Sequence, residues 1–179
     1  ASLSTLADGN DQPGIQCTAF VDLIAVGADG AVAQNQQLPH HKFLQRGTEP
    51  GACHKDGLLP VGVEQLHKAG VKVAEFAKVM ENPVKEMVME GAAFAREEGC
   101  DFIVALGGGA VLDSAVAISA MATNPGDLWD YVNGGTGKGR PLAHPGLPVV
   151  TITLTAGTGS EINCWGVISN LETKEKIGL

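Results

Sequence analysis

The stretch DFIVALGGGAVLDSAVAI, Asp101 to Ile118, decides how the rest of the chain is read. Phe102 to Leu106 is a near-continuous apolar run, the mark of a strand covered on both faces in a parallel sheet. Three consecutive glycines follow, and Val111 to Met121 then reads as a helix. At the end of a buried strand the chain must turn sharply, admit a close neighbour to its backbone and start a helix whose first amides lack partners. Glycine permits all three. Unpaired amides and the positive end of the helix dipole favour an anion, in a strand-to-helix crossover most often a phosphate. Gly107, Gly108 and Gly109 therefore read as a pyrophosphate cradle, with Asp113 placed in the first turn to accept a bond from a nearby amide or hydroxyl. A tight turn holding no ligand explains the glycines as well, so a second signal is needed.

That signal lies downstream. The β-branched run VVTITLT predicts a strand, and it leads into TAGTGSE, Thr155 to Glu161, where small residues, hydroxyls and two glycines suit a second loop at the carboxyl edge of an open sheet. Upstream, LLPVGVEQLHKAG places Val61, Val63 and Leu66 near helical spacing and closes on Gly70. Val71 to Phe76 predicts a short strand, and Asn82-Pro83 opens an amphipathic helix with Val84, Met87, Val88, Ala92 and Ala95 on one face and a stop at Gly99. Within residues 1 to 60 only Phe20 to Val26 reads as a strand. Strands alternate with helices, which predicts an α/β layer architecture with a parallel sheet flanked by helices, residues 1 to 179 forming one domain.

The totals agree with that picture. A chain of 179 residues, 44% hydrophobic, is long enough for one substantial core. A net charge of −8 and a pI near 5.0 argue against nucleic acid or an anionic membrane as partner, since both want a basic face. No apolar stretch approaches the roughly 20 residues that span a bilayer, and the N-terminal ASLSTLADGN has no secretory pattern, so a cytoplasmic protein is expected. Cys17, Cys53, Cys100 and Cys164 form no CxxC pair, and His40, His41, His54, His67 and His144 form no HxxxH or HExxH pattern; none is a convincing metal ligand. GGTGKG at Gly134 to Gly139 tempts a P-loop reading. It has Val132 where that motif needs glycine and Gly139 where it needs Ser or Thr, so it reads as a flexible surface turn.

These segments resemble the iron-containing (group III metal-dependent) alcohol dehydrogenases. The resemblance rests on ENP at Glu81 to Pro83, CDFIVALGGGAVLDSAVAI at Cys100 to Ile118, ATNPGDLWDY at Ala122 to Tyr131, LPVVTITLTAGTGSE at Leu147 to Glu161 and GVISNLETKEKIG at Gly166 to Gly178. It covers residues 57 to 179 well and residues 1 to 56 poorly. It implies a Rossmann-like, dinucleotide-binding α/β domain over residues 1 to 179, the cofactor-binding portion, whose contacts to NAD or NADP involve Asn82, Gly107, Gly108, Gly109, Ala110, Asp113, Leu154, Thr155, Thr158, Val167 and Lys176. Each has a bland alternative: Asn82 as a helix cap, Val167 as core, Lys176 as a solvated charge. Two departures stand out. Ala110 replaces the family's usual Ser, removing a hydroxyl contact to phosphate, and Val116 replaces a common Lys. Glu49 falls near the family's ribose-reading position, where an acid favours NAD over NADP.

The resemblance also implies a small alcohol or aldehyde substrate and a divalent metal, iron or zinc, carried by a C-terminal helical domain absent from this sequence. No catalytic or metal-binding residue is therefore expected here, and the portion alone is expected to bind cofactor weakly without turnover, and to self-associate as a homo-oligomer. Two other readings remain: a glycerol-dehydrogenase-like relative, and a non-catalytic nucleotide-binding module.

Overall fold

Strand β3 (Phe102–Gly107) is buried from its second residue to its last, as its apolar run requires. The computed structural model describes the backbone of residues 18–23 and the whole of residues 58–179. Around β3 lie β1 (Thr18–Leu23), α1 (Leu58–Lys68), β2 (Val73–Phe76), α2 (Lys85–Glu97), α3 (Gly109–Thr123) and β4 (Val149–Thr153), and a hairpin of β5 (Val167–Asn170) and β6 (Glu175–Gly178) closes the chain. The sheet order is β2-β1-β3-β4 and every neighbour is parallel. An α/β fold with a parallel sheet flanked by helices is what the alternating pattern predicts.

Alternation along β3 explains the two layers. Ile103 and Ala105 point to one face and join the main core with Met87, Val88 and Ala92 of α2 and Val111, Leu112, Ala115 and Ile118 of α3. Val104 and Leu106 point to the other face and meet Leu59, Val63 and Leu66 of α1. Helix α3 is apolar on nearly every side because it is wedged among α2, the sheet and β5. At about 1.5–3 kcal/mol for each large apolar side chain removed from water, the α2–α3 face contributes the larger apolar burial among the described residues.

Boundaries shift from the expectation for local reasons. Helix α1 buries Leu59, while Val61, expected on the inner face, is 55% exposed. The strand predicted from Val71 starts at Val73, because the Val71 amide donates to Leu66 O and the Gly70 amide to His67 O, the capping pattern that ends α1. Helix α2 begins at Lys85 with Val84 as its N-cap, so Pro83 lies outside the first turn. Helix α3 starts two residues before Val111, at Gly109 itself. Of the strand predicted at Phe20 to Val26, Phe20 to Leu23 lies in β1, which starts earlier at Thr18; Ile24 to Val26 lie outside the described residues.

Topology then places a site. The chain leaves β1 for β2 on one side and returns to β3 on the other, so the strand order reverses between β1 and β3. In open α/β sheets ligands bind at such a switch point, outside the carboxyl ends of the strands. Register puts Leu23, Gly107 and Thr153 abreast at that edge.

Candidate functional site

At the carboxyl edge β3 passes into α3 through Gly107, its last residue, and Gly108, the N-cap, which carries no side-chain cap. Gly108 O accepts from the amides of Val111 and Leu112 at 3.0 and 3.2 Å. The amides of Gly109 and Ala110, ahead of them, donate to no carbonyl or side chain among the described residues. Two free donors thus stand at the positive end of a 15-residue helix, the arrangement that attracts an anion.

The second loop is packed against the first. A Cβ on Gly109 would lie 3.2 Å from Thr158 Cγ2 and 3.4 Å from Ser160 Oγ, so the Thr158–Ser160 turn packs closely onto it and would have to give by a few tenths of an ångström to admit a side chain. The Leu154 amide donates to Gly107 O at 2.8 Å, tying the strand ends together although β4 itself stops at Thr153. Within this loop the Thr155 hydroxyl and Glu161 Oε2 are buried without a hydrogen-bond partner. A buried hydroxyl left unpaired costs on the order of 1–3 kcal/mol, which calls for a donor or acceptor supplied from outside. Thr158 Oγ1, by contrast, accepts the Ser160 amide at 3.3 Å.

Asp113, in α3, accepts the Val167 amide on Oδ2 at 3.0 Å, which pins the start of the β5–β6 hairpin to the helix. Gly166 beside it has no room for a Cβ against Asp113 O. Val167 is 41% exposed, so the alternative that it belongs to the core is overturned. Hairpin register pairs Ser169 with Lys176 and Ile168 with Ile177; the isoleucines enter the core while Val167 and Lys176 lie on the opposite face. Lys176 Nζ donates to Asn82 Oδ1 at 3.0 Å, and the adjacent Pro83 O accepts the Ser169 amide at 2.8 Å. Asn82 therefore does not cap α2, whose N-cap is Val84; it is a partner of Lys176. Ten of the eleven residues singled out in the sequence fall on three linked pieces, the glycine junction, the loop after β4, and the hairpin with Asn82. Asp113, expected in the first turn of α3, lies past it because the helix starts at Gly109, and it ties that helix to the hairpin.

The hairpin itself escaped the sequence reading, as did its anchor. Glu175 accepts from the Thr136 amide at 2.8 Å and from Trp129 Nε1 at 3.1 Å, and also from the hydroxyls of Thr136 and Thr173. Those bonds, with the Thr136 hydroxyl foremost, hold its carboxyl down at about 2. Gly135, at φ +53°, has no space for a Cβ because Glu175 Oε1 occupies it. GGTGKG is therefore no flexible turn. The amides of Gly137, Lys138 and Gly139 are spent on the carbonyls of Gly134, Trp129 and Val132.

The described residues gather no cluster of three or more His, Cys, Asp or Glu side chains fit to hold a metal ion. His67 and His144 are both exposed, while His40, His41, His54, Cys17, Cys53 and Glu49 lie outside the described residues. No helix among the described residues is long and apolar enough to cross a membrane.

Comparison with known proteins agrees with this geometry. The family model for iron-containing alcohol dehydrogenase matches residues 37–179. Over 128 residues the chain is 44% identical to a probable NADH-dependent butanol dehydrogenase of Bacillus subtilis, covering 72% of this chain and 32% of that protein. It is 40% identical over 157 residues to the 1,3-propanediol dehydrogenase of Klebsiella pneumoniae, covering 87% of this chain and 39% of that one. The crystal structure of NADH-dependent butanol dehydrogenase A from Thermotoga maritima superposes with a TM-score of 0.70 at 30% identity, over 93% of this chain and 34% of its own. The chain thus spans about a third of the length of these relatives. It belongs to the iron-containing alcohol dehydrogenase family.

Proposed function

We propose that this chain forms the dinucleotide-binding portion of an NAD-dependent alcohol dehydrogenase acting on a small alcohol or aldehyde. The observation that carries the reading is the free amide pair of Gly109 and Ala110, at the switch point of a parallel sheet and against the loop that also holds the unpaired Thr155 hydroxyl. In it the amides of Gly108, Gly109 and Ala110 hold the pyrophosphate, Thr155 and Thr158 orient the nicotinamide end with Leu154 beside them, and Asn82, Val167 and Lys176 contact the cofactor from the hairpin side. Asp113 acts by holding Val167 in place. NAD rather than NADP is supported by the relatives named for NADH. A bound nicotinamide exchanges a hydride with the carbinol carbon of the substrate; the residues here bind and orient the cofactor for that exchange. A divalent metal, iron or zinc, does not fit the described residues, which offer no ligand set for it.

Calorimetric titration of the purified chain with NADH and NADPH tests the reading. Saturable NADH binding, displaced by ADP-ribose and stronger than NADPH binding, is expected; no saturation with either dinucleotide overturns it. Ala110 favours a second reading, a non-catalytic nucleotide-binding module, because it keeps the backbone amide yet lacks the hydroxyl contact to phosphate. Sustained metal-dependent oxidation of a short-chain alcohol would exclude the module. Self-association through the exposed Ile162 and Trp165 is part of the proposal, and light scattering checks it.

A further inference from the structure

The β5–β6 hairpin has strands of only four residues and, among the described residues, is bridged to the chain outside it at Val84 to Ser169 alone. A lone two-stranded hairpin is marginal in water, so its position must come from elsewhere. Its inner face provides part of the answer, since Ile168 and Ile177 enter the core. Glu175 provides another part. It is directly bonded in the chain to Lys176 and, by strand alternation, points the opposite way, into the Trp129–Thr136 segment, where its carboxylate takes three donors, with a fourth from Thr173 in the hairpin's own turn. A charge-assisted bond is roughly twice as strong as a neutral one, and four on one carboxylate define its place closely. Fixing the Glu175 backbone fixes where Lys176 leaves the strand, and so where its ammonium meets Asn82.

We propose that Glu175 is a positioning residue: it locks the hairpin onto the Trp129–Thr136 segment and thereby sets the affinity of Lys176 and Asn82 for the dinucleotide without touching it. This rests on the cofactor-binding reading given above. The geometry supports it twice over. Gly135 has been left without a side chain where Glu175 Oε1 sits, and the Thr136 amide points at the carboxylate rather than at a backbone carbonyl. In Glu175→Gln one accepting oxygen is replaced by an NH2 group, which neither the Thr136 amide nor Trp129 Nε1, both donors only, can accept from.

NADH binding to the full chain, followed by nicotinamide fluorescence, is measured for the wild type, E175Q, K176M and the double variant, with amide hydrogen exchange on each. E175Q is expected to weaken binding by about threefold to tenfold and to speed exchange in the hairpin while leaving α3 protected. The double variant is expected to bind no worse than K176M, because Glu175 acts through Lys176. If E175Q does not fold, T136V, which removes the segment's hydroxyl donor to the same carboxylate, takes its place with a smaller loss. Unchanged affinity in E175Q beside weakened K176M overturns the positioning role and leaves the cofactor reading standing, as do losses that multiply in the double variant. Absence of NADH binding to the wild type overturns both.

Discussion

Two glycine-rich loops in this molecule have similar composition and opposite fates. In Gly134–Gly139 the amides of Gly137, Lys138 and Gly139 are consumed by the chain's own carbonyls, and a carboxylate, Glu175, fills the place where a ligand would sit. At Gly107–Gly109 the amides of Gly109 and Ala110 stand open at a helix start, with no acceptor among the described residues. Glycine content alone does not make an anion site; what matters is whether the amides it frees are already used. The first loop is a brace and the second a receptor, and substitutions should separate the two by what they damage.

The largest effect is expected from filling the brace. Gly135→Val puts a β-branched residue at φ +53° and into the Glu175 carboxylate, so stability should fall by about 2–3 kcal/mol. Urea unfolding measures it; a loss under about 0.5 kcal/mol would mean that the brace carries no load. Gly109→Val comes next and should do the reverse. Its side chain meets the flank of Thr158 and Ser160 and displaces the second loop, so NADH affinity should drop by about tenfold or more while the unfolding midpoint moves less than in G135V. Equal damage to stability and binding in both variants would erase the distinction between the loops.

Acid should act on the brace. The carboxyl of Glu175 is held at about 2, well below its ordinary 4.5, by Thr136 first and then Thr173 and Trp129; Asp130 in the same region is also lowered, chiefly by Lys138. A depressed carboxyl contributes its stability above the unfolded value and loses it as protons bind the folded form. Stability should thus hold down to about pH 4.5 and decline between there and about pH 2, with a shallower decline in E175Q. Urea midpoints at pH 6 and pH 3 report the slope, and parallel slopes for wild type and E175Q would remove Glu175 as its source.

How far the sequence discloses these loops follows from the range of the contacts involved. The β3–GGG–α3 junction is legible because every cue is local: an apolar run, three glycines, then helix formers. The packing of Thr158 on Gly109 is legible only as two loops at one sheet edge, which topology, not spacing, brings together. Glu175 is illegible, since its partner Thr136 is 39 residues away and nothing in TKEKIG distinguishes it from a solvated charge. The hairpin fails for a related reason: strands of four residues with one face outward carry too few apolar positions for a period-2 signal. Asn82 looks like a cap from its place before Pro83, and only the fold reveals Lys176, 94 residues on, as its partner. The family resemblance supplied both residues where the physical pattern could not.

The smallest effect is the most discriminating, because it should change sign with ligand. Thr155 buries a hydroxyl with no partner, a cost the unliganded chain bears for nothing unless the cofactor satisfies it. Thr155→Val keeps the shape and removes the cost, so without NADH the variant should be as stable as wild type or more so, by up to about 1 kcal/mol. With NADH in excess the order should reverse, since the ligand stabilises each chain in proportion to the logarithm of its affinity and the wild type has a hydrogen bond the variant lacks. Thermal unfolding with and without NADH reads both halves. If T155V is the less stable of the two without ligand, the hydroxyl already has a solvent partner and the receptor loop is as self-satisfied as the brace.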